Sequence, residues 1–313
     1  MRFLVLVLLL SLASTGRAAT VAAPRPAAPA PDFPDLLIQR DVPFGRGGHR
    51  TLSLDLFRPR SIGRPLPIVV CLHSGGWVHR DKSSTSVYEA PVLAREGFVA
   101  ASIDYRPSTE SPFPGPLEDC KCAVRWLRAH AASFGADPDH IGALGLSAGG
   151  HLALMLACTR ASDELEGSGG TPGISSAVQA ACSWYGPTDL TPAIVQPGYF
   201  IPEVTANIFR LLATPTLEAA RRASPVTYVT SRAPAMLLVQ GVEDPVVPMD
   251  QAVRLADALR RAGGDVLLLR VEHASHAFTS LGGRATPSVP EIRRATAAFF
   301  RRALARGPVA SAR

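Results

Sequence analysis

The chain has 313 residues, of which 47% are hydrophobic and 19% are charged. This much apolar sequence can bury a large core, so the composition excludes disorder of the whole chain and allows a single α/β domain. The net charge of +6 comes from arginines scattered through helical stretches, such as Arg254, Arg260 and Arg261. Because nucleic-acid binders cluster their basic residues, we expect no nucleic-acid partner.

The first 18 residues have the order of a secretion signal. Arg2 precedes an apolar run at 3–12, and the small residues Gly16 and Ala18 follow it. An apolar run of about ten residues falls short of the roughly 20 that span a bilayer. We therefore expect a signal peptide at 1–18 and a periplasmic or secreted protein that keeps no membrane span once the signal is removed.

Residues 19–34 are rich in Ala and Pro and predict an extended linker. From residue 35 onward, short apolar runs alternate with longer amphipathic stretches, which is typical of strands joined by crossover helices. This alternation predicts an α/β domain at 35–305 with a mostly parallel central sheet flanked by helices, followed by a tail at 306–313. The predicted strands are 51–57, 68–72, 99–104, 141–146, 181–185, 236–240 and 266–271. The predicted helices are 117–133, 148–158, 250–262 and 291–305.

Residues 188–223 interrupt the alternation and predict a small cap over one edge of the sheet. The segment contains Pro192, Pro197, Pro202 and Pro215, and its longest apolar helical piece is expected to have about two turns. Such a cap can frame a pocket but is poorly suited to burying a fatty tail.

Five cysteines remain after the predicted signal peptide, an odd number that establishes no disulfide framework. Cys71 and Cys182 lie in strand-like runs and are expected to be buried thiols. Cys120 and Cys122 lie on different faces of a predicted helix, which disfavours a bridge between them. Since no CxxC pair or His/Cys cluster with zinc spacing is present, we expect neither a metal nor a cofactor.

Gly145-Leu146-Ser147-Ala148-Gly149 is a GxSxG motif in an informative context. The motif follows a predicted strand and opens a predicted helix, which is the setting of a nucleophile elbow. A tight turn there exposes the Ser147 hydroxyl at the carboxyl edge of the sheet, near the positive end of a helix. The motif therefore predicts that Ser147 is a catalytic nucleophile.

A serine nucleophile needs a histidine to accept its proton and an acid to hold the histidine ring. In proteins with a nucleophile elbow, the acid follows the serine along the chain and the histidine comes last. Asp244 follows a predicted strand and is the candidate acid, with Glu243 as the alternative. His276 follows the last predicted strand, with His273 as the alternative. We favour Asp244 and His276. Five other histidines are expected to be structural: His49, His79, His130, His140 and His151.

The sequence His73-Ser74-Gly75-Gly76-Trp77 follows a predicted strand. Proteins with a nucleophile elbow place at this position the loop that binds the negatively charged oxygen of the reaction intermediate, here called the oxyanion loop. Backbone N–H groups aimed at the developing negative charge are a large part of acyl-transfer catalysis. We assign the oxyanion hole to the N–H groups of Gly75, Gly76 and Ala148.

Taken in order, these motifs resemble the hormone-sensitive-lipase-like group of α/β-hydrolases, and more closely the bacterial acetyl and feruloyl esterases with their kynurenine formamidase relatives. The resemblance covers about residues 41–302. It depends on HSGGW, GLSAGG, SPVTYV, GVEDPVVP and HASHAF, and on the stretch DYRPSTESPFPGPLEDC. Two positions depart from the family pattern, because Ser74 and Ala277 stand where glycine is common.

The resemblance implies an α/β-hydrolase fold and a serine esterase that acts on short acyl esters of small molecules or carbohydrates, and the signal-like residues 1–18 predict that this esterase is exported. It also implies structural roles for Asp104, Arg106 and Glu118. Two alternatives stay open: an amidase of the arylformamidase type, which needs the same triad, and a non-catalytic α/β-hydrolase used for binding.

Overall fold

The computed structural model describes residues 33–79, 81–86, 88–171 and 173–305. The predicted signal peptide and C-terminal tail lie outside the described residues, as does the predicted linker apart from its last two positions.

Within the described residues, eight strands form one sheet in the order β1-β2-β4-β3-β5-β6-β7-β8. β1 pairs antiparallel with β2, β2 pairs antiparallel with β4, and every later pair is parallel. The predicted mostly parallel sheet is therefore confirmed. The strands are β1 (Leu36–Gly47), β2 (Arg50–Pro59), β3 (Leu66–Leu72), β4 (Val99–Ile103), β5 (Ala136–Leu146), β6 (Ala180–Trp184), β7 (Ala235–Gly241) and β8 (Val266–Val271).

Helices connect the strands and cover both faces of the sheet, as expected for parallel strands that are buried on both sides. The helices are α1 (Ser83–Ser86), α2 (Glu89–Arg95), α3 (Gly115–His130), α4 (Ala148–Cys158), α5 (Pro192–Val195), α6 (Pro202–Leu212), α7 (Leu217–Arg222), α8 (Met249–Arg261) and α9 (Val289–Ala305). Short 3₁₀ turns occur at Ala131–Phe134, Ala161–Asp163, Pro225–Tyr228 and His276–Phe278.

β7 illustrates how one strand supplies the cores on the two faces of the sheet. Met236 and Leu238 pack with Leu255 of α8, whereas Leu237 and Val239 pack with the residues that α9 contributes. Successive side chains of a strand point to opposite faces, so the continuous apolar run of β7 fills both cores at once.

Two parts of the fold were not predicted. β1 escaped prediction because LLIQRDVPFGRG lacks a regular alternation, and its pairing with β2 is interrupted by register shifts between Gln39 and Val42 and between Pro43 and Gly45. The short helices α1 and α2 also escaped, since neither is long enough to show a helical period.

The cap prediction was wrong about the helices of residues 188–223. α6 has 11 residues, or about three turns, instead of two. Pro192 and Pro202 begin α5 and α6 instead of interrupting them, because proline fits the first helical position, where its missing N–H is no loss.

Candidate active site

Ser147 lies in the tight turn between β5 and α4. Its φ of 53° and ψ of −117° are in a region that residues with side chains rarely adopt. The turn is held by the Ser147 N–H, which donates to the Trp184 carbonyl at 2.8 Å. A Cβ on residue 149 would overlap the carbonyl oxygen of Leu72, so α4 approaches β3 this closely because Gly149 has no side chain. The strand, turn and helix predicted around Ser147 are all present.

Three of the predicted site residues form one hydrogen-bonded chain. The Oγ of Ser147 lies 3.1 Å from Nε2 of His276, and Nδ1 of His276 lies 2.8 Å from Oδ2 of Asp244. Asp244 follows β7 and His276 follows β8, so both come from the same carboxyl edge of the sheet as Ser147. The His276 side chain is 22% exposed and that of Asp244 is fully buried.

The carboxylate of Asp244 fixes the protonation pattern of the histidine. Its Oδ1 accepts from the N–H groups of Val246 and Val247, and its Oδ2 accepts from Nε2 of Gln240. Because a carboxylate only accepts, the proton of neutral His276 lies on Nδ1, and the Nε2 lone pair faces Ser147. The arrangement can therefore take a proton from the serine hydroxyl.

Glu243 and His273, the alternatives for the acid and the base, lie apart from this chain. Oε1 of Glu243 is 3.8 Å from Nδ1 of His273, and their side chains are 43% and 56% exposed. The structure thus brings Asp244 and His276 to Ser147 and pairs the two alternatives with each other at the surface.

The predicted oxyanion loop follows β3 beside the elbow. Gly75 and Gly76 have φ values of 116° and 61°, whereas Ser74 keeps an ordinary negative φ and so fits where the family pattern has glycine. Among the described residues, no acceptor pairs with the N–H groups of Gly75, Gly76 or Ala148. Three unpaired backbone N–H groups beside a serine can donate hydrogen bonds to an anionic oxygen and so stabilise it.

Trp77, the last residue of the loop, is tied to His151 on α4. The Trp77 indole Nε1–H donates to Nδ1 of His151 at 3.2 Å, and His151 Nε2 contacts the Ala223 carbonyl at 2.7 Å. An indole only donates and a carbonyl only accepts, so His151 is neutral with its proton on Nε2. Complete burial lowers the pKa of His151 to about 4, which keeps it neutral. Through these two hydrogen bonds, His151 connects α4 with the oxyanion loop and with the end of the cap.

The structural residues implied by the family resemblance have identifiable partners. Arg106 makes a bidentate ion pair with Asp119 on α3, with N–O distances of 2.8 Å, and is 3.8 Å from Glu118. Asp104 accepts from the Ser53 hydroxyl and from the Lys82 N–H. The main partner of Arg106 is thus Asp119, a residue that was not predicted to have this role.

Sequence reasoning also missed Gln240 and Tyr185. Gln240 is a polar residue at the buried end of an apolar strand, a signal that could have been noticed, and it donates to Asp244. The Tyr185 ring packs against the His276 imidazole at a centroid distance of 4.7 Å, and its φ of 44° turns it towards the site. Both residues orient the acid and the base.

All five cysteines are buried and free, as expected for Cys71 and Cys182. In the part of the chain that the structure describes, no group of His, Cys, Asp and Glu side chains has a metal-binding arrangement. No helix among the described residues has the length and apolar character to cross a bilayer.

The sequence matches the BD-FAE family model over residues 54–259. The esterase LipQ of Mycobacterium tuberculosis is 33% identical over 244 residues, which cover 76% of this chain and 56% of LipQ. LipM of the same organism, described as a probable carboxylic ester hydrolase, is 30% identical over 77% of this chain and 56% of its own length. The chain thus spans little more than half the length of these relatives.

Solved structures share the fold. A truncated carbohydrate esterase from gut microbiota superposes with a TM-score of 0.77 at 23% identity, covering 88% of this chain and all of the other. Esterase 2 of Thermogutta terrifontis, in a propionate-bound structure, gives a TM-score of 0.69 at 23% identity over 87% of this chain and 96% of its own. The predicted α/β-hydrolase fold agrees with both.

Proposed function

Because this chain belongs to the BD-FAE family of α/β-hydrolases, we propose that it is a serine carboxylic ester hydrolase that works through an acyl-enzyme. The observation that carries the proposal is the hydrogen-bonded chain from Ser147 through His276 to Asp244, with separations of 3.1 and 2.8 Å. Such an order of nucleophile, base and acid activates a serine that is otherwise a weak nucleophile near neutral pH.

In the first half of the proposed reaction, the Oγ of Ser147 forms a bond to the ester carbonyl carbon while His276 Nε2 takes the hydroxyl proton. The tetrahedral intermediate collapses, the bond to the alcohol oxygen breaks, and His276 returns the proton to the leaving alcohol. In the second half, water attacks the acyl-Ser147 ester with His276 again as base, which releases the acid and regenerates the hydroxyl. Asp244 stays ionised and stabilises the imidazolium that forms in each half.

The N–H groups of Gly75, Gly76 and Ala148 are proposed to bind the oxyanion of both tetrahedral intermediates. Support comes from the lack of any acceptor for these donors among the described residues. Donors already in place when the charge develops need no reorganisation, which is why a single donor is worth about 10²-fold to 10³-fold in rate.

We propose that the acyl group is short, of the acetyl or feruloyl type. In α6, the longest cap helix, the apolar residues Ile208, Leu211 and Leu212 are already buried in the main core. Among the described residues of the cap, the exposed large hydrophobic side chains are Val195 and Phe209. A long acyl chain gains roughly 0.8 kcal/mol per methylene only where that methylene leaves water, and this cap offers little apolar surface for it.

The acyl proposal is tested by kcat/KM for nitrophenyl esters of increasing acyl length. We expect the highest values from acetyl to butyryl and lower values from octanoyl onward. An increase towards long chains would contradict the argument from the cap and favour a lipase.

The ester-hydrolase proposal is tested by assaying the purified protein against nitrophenyl acetate, acetylated carbohydrate, methyl ferulate and an aryl formamide. We expect turnover of at least one ester and a loss of about 10³-fold or more in Ser147→Ala. Removing a partly exposed hydroxyl leaves no buried gap, so this variant should keep its unfolding midpoint. Turnover of the formamide alone would favour the amidase, and no turnover of any substrate would favour a binding protein.

We also propose that the protein is exported, to the periplasm or the medium, on the basis of the signal-like pattern in residues 1–18. N-terminal sequencing of the exported product should then begin near Ala19. A cytoplasmic product that still starts at Met1 would contradict export without affecting the proposed chemistry.

A further inference from the structure

A buried asparagine of the cap lies against the oxyanion loop. Asn207 belongs to α6 and is 8% exposed. A Cβ built on Gly76 would lie 2.5 Å from Nδ2 of Asn207 and 3.4 Å from its Cγ. With a bond length of about 1.5 Å, Nδ2 is then within about 4 Å of the Gly76 Cα. Of the Asn207 atoms, the amide nitrogen thus lies nearest to the position that a Gly76 side chain would occupy.

The orientation of this amide is fixed by a neighbour on the same helix. Oδ1 of Asn207 accepts a hydrogen bond from Nη1 of Arg210 at 3.0 Å. Because a guanidinium has donors and no acceptor, the amide oxygen must face Arg210. The NH₂ group is therefore the end that faces Gly76.

Nδ2 has no acceptor among the described residues, so it is free to donate a hydrogen bond to a bound substrate. The backbone N–H of Gly76 is likewise unpaired within the described part of the chain. Two unpaired donors, one from the cap and one from the loop, therefore lie side by side.

The separation of these donors suits one shared acceptor. Two N–H groups that each lie about 2.9 Å from the same oxygen are less than about 6 Å apart. Nδ2 of Asn207 lies within about 4 Å of the Gly76 Cα, and the Gly76 nitrogen is bonded to that Cα. The Gly76 nitrogen and Nδ2 of Asn207 are therefore less than about 6 Å apart. An oxygen held by the Gly76 N–H can accept from Asn207 as well.

We propose that Asn207 is a further catalytic residue, which donates from Nδ2 to the substrate carbonyl oxygen as that oxygen becomes the oxyanion. The inference rests on the proposed ester hydrolysis and adds a side-chain donor to the backbone donors of that site. No proton is transferred in this step, since the amide only stabilises charge on the oxygen. The cap then takes part in the reaction, and Arg210 is the positioning residue that orients the amide.

The test compares steady-state kinetics of the full chain with those of Asn207→Leu and Asn207→Asp on a short-chain nitrophenyl ester. Leucine nearly matches asparagine in shape but has no donor. Aspartate keeps an oxygen for Arg210 and replaces the NH₂ group with a second oxygen. Phe209→Ala, at a 37% exposed position next to Arg210 on the same helix, is the matched control. Unfolding midpoints and the covalent labelling of Ser147 by a nitrophenyl phosphonate show whether each variant keeps its folded site.

We expect kcat to fall by about 10²-fold in Asn207→Leu and further in Asn207→Asp, with KM changed by less than about threefold. Phe209→Ala should retain wild-type kinetics. Binding of a trifluoromethyl ketone, whose adduct carries an oxyanion, should weaken in proportion to the loss in kcat/KM.

Two results would overturn the inference while leaving ester hydrolysis intact. The first is a kcat within twofold of wild type in both folded Asn207 variants. The second is a higher KM at unchanged kcat, which would mean that Nδ2 binds another group of the substrate in the ground state. If the wild-type chain itself hydrolyses no ester, the proposed function fails, and this inference fails with it.

Discussion

Acidification should weaken the fold through His151, the residue that ties Trp77 to α4 and to the end of the cap. Neutral His151 accepts from Trp77 through Nδ1, and its burial lowers its pKa to about 4. Protonation of His151 would place a proton on Nδ1, which could then no longer accept from the indole N–H of Trp77. The hydrogen bond between the oxyanion loop and α4 would be lost.

The sign and size of this effect follow from the difference in pKa between the folded and unfolded chain. Unfolded histidine takes up its proton near pH 6.5, whereas folded His151 does so only near pH 4. Between these values the unfolded state binds more protons, so the free energy of unfolding falls as the pH falls. The stabilisation is fully present above about pH 6.5 and is lost by about pH 4. At 1.36 kcal/mol per pKa unit, it amounts to about 3 kcal/mol.

The assay is urea unfolding of the wild-type chain and of His151→Gln at several pH values from 7 to 4.5. Glutamine can accept from Trp77 and donate to Ala223, but it does not titrate. Groups other than His151 titrate alike in both proteins, so the difference between their unfolding free energies isolates the histidine. We expect the advantage of the wild type at pH 7 to shrink by about 2 kcal/mol or more on acidification. A difference that stays constant with pH would refute this role of His151.

Two further predictions concern the base and the elbow. His276→Ala should lower kcat by about 10³-fold or more, whereas His273→Ala should stay within about twofold of wild type; the reverse pattern in steady-state kinetics would exchange the roles of the two residues. Gly149→Ala should lower the free energy of unfolding by about 1–3 kcal/mol or more, because its Cβ would overlap the carbonyl oxygen of Leu72; an unchanged urea midpoint would contradict the close approach of α4 to β3.

The residues of the site that could be predicted are those whose role is indicated by their immediate neighbours in the sequence. The GxSxG motif stands between an apolar strand and a helix, so its neighbours predict the turn that carries Ser147. Asp244 and His276 each follow an apolar strand, and parallel strands bring their carboxyl ends to the same edge. Such residues need no knowledge of side-chain packing to be found.

The parts that could not be predicted depend on packing between distant segments. Asn207 is an ordinary helix residue in the sequence, and only the fold of α6 brings its amide to Gly76. The bond from Trp77 to His151 joins residues that are 74 positions apart. β1 was missed for a local reason, because its bulges break the period-2 pattern by which strands are recognised.

The most direct test of the central claim is to locate the covalent adduct that a nitrophenyl phosphonate ester forms with the protein. Intact-mass and peptide mass spectrometry should show one phosphonyl group, carried by the peptide that contains Ser147, with esterase activity lost in proportion to labelling. Ser147→Ala should take up none. An adduct on another residue, or ester hydrolysis that persists after Ser147 is fully labelled, would contradict the account.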